Sequence, residues 1–221
     1  MTPKDFISAI KRLQKIYKIK IRRGKPFEIL VHGILSTRTK DETTFPAQER
    51  LLRMADSPYK LSLLTRKQIE KAIFPVGFYK TKARMLKKTA TELLEEFNGK
   101  VPGTKDDLLK LPGVGPKVAS LVLVWGFGLP YIPVDTHVNR VSKRLGIVPK
   151  DSKPEETQQV IETILSDREK LIANHLLVTF GKDICKPISP LCYRCPVYDL
   201  CEYKEKEYYR AKGKNKPKHL F

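Results

Sequence analysis

Leu111-Pro112-Gly113-Val114-Gly115-Pro116-Lys117-Val118-Ala119 is the stretch whose reading decides the fold. Two glycines one residue apart, flanked by prolines, make a tight reversal that tolerates positive φ and lets another backbone come close. Beyond it Leu121, Val122, Val124 and Trp125 recur at helical spacing, so the turn opens a helix and Trp125 is expected on its buried side. A helix start presents unpaired N–H groups and the positive end of the macrodipole, and together these suit a phosphate. Taken alone, such a turn is as often purely structural, and Lys117 an ordinary solvated lysine.

Outward from the hairpin the chain reads as helices punctuated by Pro and Gly, with no alternating run long enough for a convincing strand, so the expected class is all-α. Ile7, Ile10, Leu13 and Ile16 form one apolar stripe, and Ile69, Ile73, Met85, Leu86, Leu93 and Leu94 continue the pattern further on. Ser152-Lys153-Pro154-Glu155 has capping-box spacing and opens a helix before Val160. His32, His137 and His175 sit among apolar residues without metal-ligand spacing and read as structural; His219 lies in the tail. From Lys204 to Lys218 basic residues dominate, which predicts a mobile basic arm.

The 43 Lys and Arg against 24 Asp and Glu give a net charge of +19 on 221 residues, which makes a polyanion, nucleic acid first, the natural partner. No stretch reaches the roughly 18 to 20 apolar residues of a membrane span. Charged residues at 30%, above the usual ~25%, hint at a thermophilic source. Met1 to Lys20 holds no apolar export segment, so an intracellular, reducing setting is expected.

All four cysteines, Cys185, Cys192, Cys195 and Cys201, follow C-x6-C-x2-C-x5-C. Such clustering predicts one inorganic centre over disulfides or scattered core thiols. Zinc and a [4Fe–4S] cluster both accept four thiolates; the single C-x-x-C pair tilts the spacing towards the cluster without excluding zinc. In Val134-Asp135-Thr136-His137-Val138, Asp135 follows Pro133 and is placed to cap a helix. A lysine heading one helix and an aspartate heading the next could converge across a cleft as amine nucleophile and carboxylate.

Taken with Ile34-Leu35-Ser36, Gly77-Phe78-Tyr79-Lys80-Thr81-Lys82-Ala83 and the Leu-Pro-Gly-Val-Gly signature of a helix-hairpin-helix, these motifs make the chain closely resemble the endonuclease III family, the iron–sulfur branch of the Gly-Pro-Asp DNA glycosylases. The resemblance spans nearly the whole chain. It implies an all-α, two-lobed fold: a helical barrel over residues 20–129 with the hairpin at about 104–126, a cluster lobe from 1–19 plus 130–203, and a basic tail at 204–221. Implied too are a [4Fe–4S] cluster on the four cysteines and a monomer acting between its lobes on double-stranded DNA with damaged pyrimidines or abasic sites. The expected location is a prokaryotic cytoplasm and nucleoid.

The same resemblance makes Lys117 the nucleophile and Asp135 the assisting carboxylate of a combined DNA glycosylase and abasic-site lyase. DNA contacts would come from Gly113, Val114 and Gly115 of the hairpin, and from Lys82, Lys186 and Arg194. Phe78 would be a wedge between bases, and Arg38, where bacterial relatives carry glutamine, would meet the base left unpaired. Between Cys185 and Cys192 the chain supplies one lysine where relatives carry several basic residues. Two other readings stand beside this one: a monofunctional mismatch glycosylase, and a non-enzymatic DNA-binding scaffold with zinc.

Overall fold

Helical apolar spacing is realised throughout the computed structural model, in which residues 1–214 are described; His219 and the end of the basic tail lie outside them. Among the described residues all regular structure is helical, and none of the helices is long and apolar enough to cross a membrane.

The chain opens on α1 (Pro3–Ile16), where Thr2 and Asp5 form a reciprocal capping box. Its buried stripe is Phe6, Ala9, Ile10 and Leu13, and Ile16 is 55% exposed, which corrects the expected Ile7-to-Ile16 stripe. At 3.6 residues per turn, positions 7 and 16 are about two and a half turns apart and so lie on opposite faces.

Next come α2 (Pro26–Ser36), α3 (Asp41–Met54), α4 (Pro58–Leu63), α5 (Arg66–Ile73), α6 (Tyr79–Phe97), α7 (Lys105–Lys110) and α8 (Pro116–Leu121). The core of this unit is α2, apolar almost all round and buried from Ile29 to Leu35, with α3, α6 and α8 packed about it. Where a continuous α-helix is expected after the hairpin, Val122–Phe127 is π-helical. The Val124 and Trp125 carbonyls, in the last turn of this helix, accept from Arg23 Nη1 at 2.7 Å and the Gly24 amide at 3.1 Å. Gly126 lets Pro26 approach; a Cβ there would lie 3.1 Å from Pro26 Cα. Trp125 is buried as expected.

From Val134 onward the chain forms α9 (Thr136–Leu145), α10 (Pro154–Ile164), α11 (Asp167–Asp183), a 3-10 turn at Cys192–Arg194 and α12 (Lys206–Lys214). Here α9 packs on α10 and α11, and α1 on α11. Two compact units result, Arg22–Pro133, and Met1–Ile21 with Val134 onward. The cap of α10 sits one residue later than the spacing suggests: the Lys153 amide, not that of Ser152, donates to Glu156 Oε2 at 3.1 Å, and Ser152 is buried.

The expected mobile arm is corrected over residues 206–214, which form α12 against the 3-10 turn. Interleaved aromatics, masked by the charge count, explain the packing. The Arg210 guanidinium lies 4.4 Å over the Tyr198 ring, and Lys206 Nζ donates to the carbonyls of Tyr198 at 3.3 Å and Cys201 at 2.5 Å.

Candidate active site

The hairpin is built as its residue types require. Gly113 has φ +80°, in the left-handed region, and the Val114 amide closes the turn on the Leu111 carbonyl at 3.1 Å. A Cβ on Gly113 would meet Met85 Sδ at 3.1 Å, and Thr89 Oγ1 donates to the Pro112 carbonyl at 2.7 Å, so α6 fixes the turn from below. Gly115 has open space where its Cβ would be. Pro116 opens α8, its missing N–H costing nothing at a first helical position, and half-buried Lys117 follows in that first turn. The next residue, Val118, presses on α2, where only a glycine fits: a Cβ on Gly33 would lie 2.6 Å from Val118 Cγ1.

A second cluster in the same unit joins the end of α2 to the start of α6. Arg38 (φ +52°) and Phe78 (φ +58°) are both left-handed non-glycine residues, a conformation that costs about 1–3 kcal/mol each. The Arg38 guanidinium lies 5.5 Å from the centre of the Phe78 ring, and Phe78 is 62% exposed, so it is not a core residue. The structure therefore brings these two sequence candidates together.

Lys82 does not join them at the surface. Its side chain is buried, and Nζ donates to the Leu35 carbonyl at 2.7 Å, the Thr37 carbonyl at 2.6 Å and Thr39 Oγ1 at 3.0 Å. With all three protons used inside the protein, Lys82 is corrected from a DNA contact to an internal fastening. Burial pulls its ammonium down to about 8.

Asp135 lies in the other unit and caps α9: Oδ1 accepts from the amides of His137 at 2.8 Å and Val138 at 2.9 Å. Both bonds fall on one oxygen, leaving Oδ2 unused by the cap. His137 Nδ1 lies 3.2 Å from Arg140 Nη2, and buried His32 pairs through Nδ1 with Gln48 Oε1 at 2.9 Å; both are structural as expected. His175 is instead exposed on α11, since the apolar neighbours in sequence point to the other side of the helix.

The four cysteines follow α11 within one loop. Burial first, then the charge of Cys185 and Cys201, pushes the Cys192 thiol up to about 11; burial chiefly pushes Cys195 up to about 12, with the other three thiolates adding to it. Buried thiols held up in this way ionise readily only beside a cation, which is the chemistry of a thiolate-ligated metal centre. No ready-made group of three or more ligating side chains is present among the described residues. The donor set, four free thiols in one loop, fits such a centre by its chemistry.

Arg140 and Arg144, neither singled out from the sequence, hold this loop. Arg140 Nε and Nη2 donate to the Cys185 carbonyl at 3.2 and 3.1 Å; Arg144 donates to the carbonyls of Lys186 at 2.6 Å and Pro187 at 3.0 Å, and reaches Cys185 Sγ at 3.6 Å. Their spacing of four residues on α9 was the available signal, indistinguishable in a basic chain from solvated charge. Of the expected DNA contacts nearby, Lys186 is exposed, whereas Arg194 is tied to Asp183 at 2.9 Å, a carboxylate that also accepts from Tyr17 OH at 2.7 Å.

Endonuclease III of Thermotoga maritima is 39% identical to this chain over 189 residues, covering 86% of each. Among solved structures, a trapped endonuclease III–DNA covalent intermediate with an estranged adenine matches 94% of this chain and 99% of its own at TM-score 0.88 and 33% identity. A thermostable thymine-DNA glycosylase matches 92% and 97% at TM-score 0.83 and 25% identity. With residues 31–167 matching the family model as well, the chain belongs to the HhH-GPD superfamily of base excision DNA repair proteins.

Proposed function

We propose that this protein removes oxidised pyrimidines from double-stranded DNA and then cuts the strand at the resulting abasic site. The observation that carries this is a lysine, Lys117, in the first helical turn after the glycine hairpin, in a chain alike at TM-score 0.88 to an endonuclease III caught covalently on DNA. Amide groups at the hairpin would hold backbone phosphate without reading bases. The damaged nucleotide must leave the stack to be reached, and Phe78 with Arg38 would occupy the gap.

The Lys117 amine then forms a bond to the sugar carbon as the glycosidic C–N bond breaks and the base departs with its electron pair, gaining a proton. The amine then loses a proton, the sugar ring opens as the bond from that carbon to the ring oxygen breaks and the oxygen takes a proton, and the nitrogen lone pair completes a protonated Schiff base; removal of a proton from the neighbouring sugar carbon then expels the 3′ oxygen and cuts the strand. Asp135, with Oδ2 uncommitted by its cap, would assist base departure and proton transfer. Cys185, Cys192, Cys195 and Cys201 would hold a [4Fe–4S] cluster, which supplies a rigid cross-link to a loop with little core of its own. Lys186 and Arg194 would add phosphate contacts beside it. The same reading places a monomer with the DNA inside the cell.

Borohydride trapping on duplexes bearing thymine glycol, dihydrouracil, uracil or an abasic site tests this reading. Covalent adducts with the first two and the abasic duplex are expected; base release without any adduct would instead favour the monofunctional mismatch enzyme suggested by the thymine-DNA glycosylase likeness.

A further inference from the structure

A buried lysine whose three protons are all donated to backbone and hydroxyl oxygens is costly to keep unless it organises something. Lys82 is 5% exposed. Its acceptors belong to the last turn and exit of α2, where carbonyls have no helical partner and the macrodipole is negative, so the ammonium caps α2 from α6. The segment it gathers, Leu35 to Thr39, contains Arg38.

The same lysine reaches Phe78 through its own backbone: the Lys82 amide donates to the Phe78 carbonyl at 3.0 Å in the first turn of α6. The two segments also abut directly. A Cβ on Gly77 would lie 3.1 Å from the Arg38 carbonyl oxygen and 3.3 Å from Thr39 Oγ1. Arg38 and Phe78 are each held in the left-handed region, which persists only where the surroundings over-determine it.

The geometry points to Lys82 as the positioning residue that holds Arg38 and Phe78 in register to occupy the gap in the duplex, and so as a determinant of opposite-base discrimination. This rests on the glycosylase reading above. Lys82 touches neither substrate nor reacting atoms; it acts through the segment it ties. Removing it should let Arg38 relax towards ordinary backbone angles and carry its guanidinium away from Phe78.

Lys82→Met keeps the length of the stem and deletes the donors. Single-turnover base release would be measured on paired substrates with guanine or adenine opposite the lesion, for wild type, Lys82→Met, Arg38→Ala and the double variant. Lys88→Met, which removes an exposed charge from the same helix, serves as the control. Lys82→Met should slow release by about tenfold, the scale of a small misplacement, and bring the guanine-to-adenine ratio to that of Arg38→Ala. The double variant should shift the ratio no further. A wild-type ratio in Lys82→Met, or additive shifts in the double variant, overturns the assignment.

Amide hydrogen exchange provides a readout independent of activity. In Lys82→Met, residues 35–40 should exchange faster while α10 and α11 keep their protection; unchanged exchange in that segment overturns the clamp even if no base is released. Wild type releasing no base from any lesion would sink the glycosylase reading and leave exchange to decide the clamp. Should Lys82→Met not fold, Thr39→Val deletes one acceptor without changing shape. It should move ratio and exchange in the same direction by about twofold, and no movement would again overturn the assignment.

Discussion

Lys117 and Asp135 carry distinguishable burdens at the residue scale. Lys117→Gln is expected to abolish borohydride trapping and strand cleavage while lesion-DNA binding persists, because the hairpin backbone is untouched; an adduct formed at the wild-type rate would mean another nucleophile. Asp135→Asn keeps an oxygen for the His137 and Val138 amides, so thermal stability should fall by no more than about 0.5 kcal/mol while base release slows by about two orders of magnitude. For Lys82, burial is the cause that lowers its pKa from 10.5 to about 8; Lys80 and Arg84 on its helix and Arg38 and Lys40 on the facing segment are exposed. The folded protein loses this proton near pH 8, whereas the unfolded chain keeps it to about 10.5. Between those values the unfolded state binds more protons, so the Lys82 contribution to stability rises with pH even as a neutral amine, with two donors, loosens the clamp. The opposite-base ratio of the wild type should therefore flatten between about pH 7 and 9, and that of Lys82→Met should not change over the same range.

Among the elements, the hairpin and α12 make opposite demands. Gly113→Ala would place a side chain at φ +80° and 3.1 Å from Met85 Sδ; unfolding in urea should show a loss of about 1–2 kcal/mol, with weaker binding to undamaged duplex. An unchanged midpoint would mean that the turn relaxes freely. Truncation after Glu205 removes α12, and with it the Lys206 bonds to the Tyr198 and Cys201 carbonyls. Because those bonds steady the loop that ends at the fourth cysteine, the truncated protein should hold less iron per chain after aerobic purification, besides showing a shallower salt dependence. Full iron retention would assign α12 to DNA contact alone.

For the whole molecule, a net charge of +19 predicts an affinity for undamaged duplex that falls steeply with salt, log K sloping at about −0.9 per phosphate neutralised. Anaerobically purified protein should be yellow-brown with about four irons per chain, the expectation for a [4Fe–4S] centre. Stoichiometric zinc would return the cysteines to the alternative that their spacing leaves open.

Much of this was legible from local chemistry. Pro-Gly-x-Gly-Pro before an apolar helical run admits few backbones, a Pro-Val-Asp-Thr segment is a helix cap by composition, and four cysteines with one spacing share a neighbourhood whatever the rest of the chain does. Helical class followed from periodicity, and so did the buried stripe positions Ile10, Leu13, Ile69, Ile73, Leu86 and Leu93, whereas Ile7, Met85 and Leu94 on the same stripes are only half-buried. Burial and partners did not, because they depend on segments distant in sequence. Lys82 reads as one more basic residue beside Lys80, yet its acceptors are 43 to 47 residues away, at the end of α2 and just beyond it. Arg140 and Arg144 became fastenings of the cysteine loop only through carbonyls 41 to 45 residues on. Ile16 left the core because helical phase accumulates, and residues 206–214 left the predicted arm because Arg210 lies over the Tyr198 ring and Lys206 donates to the Tyr198 and Cys201 carbonyls. The sequence by itself determined which backbone shapes and donor sets were possible; which charges are buried, and what they hold, was decided by tertiary structure, since desolvation and hydrogen-bond geometry exist only once the chain has folded.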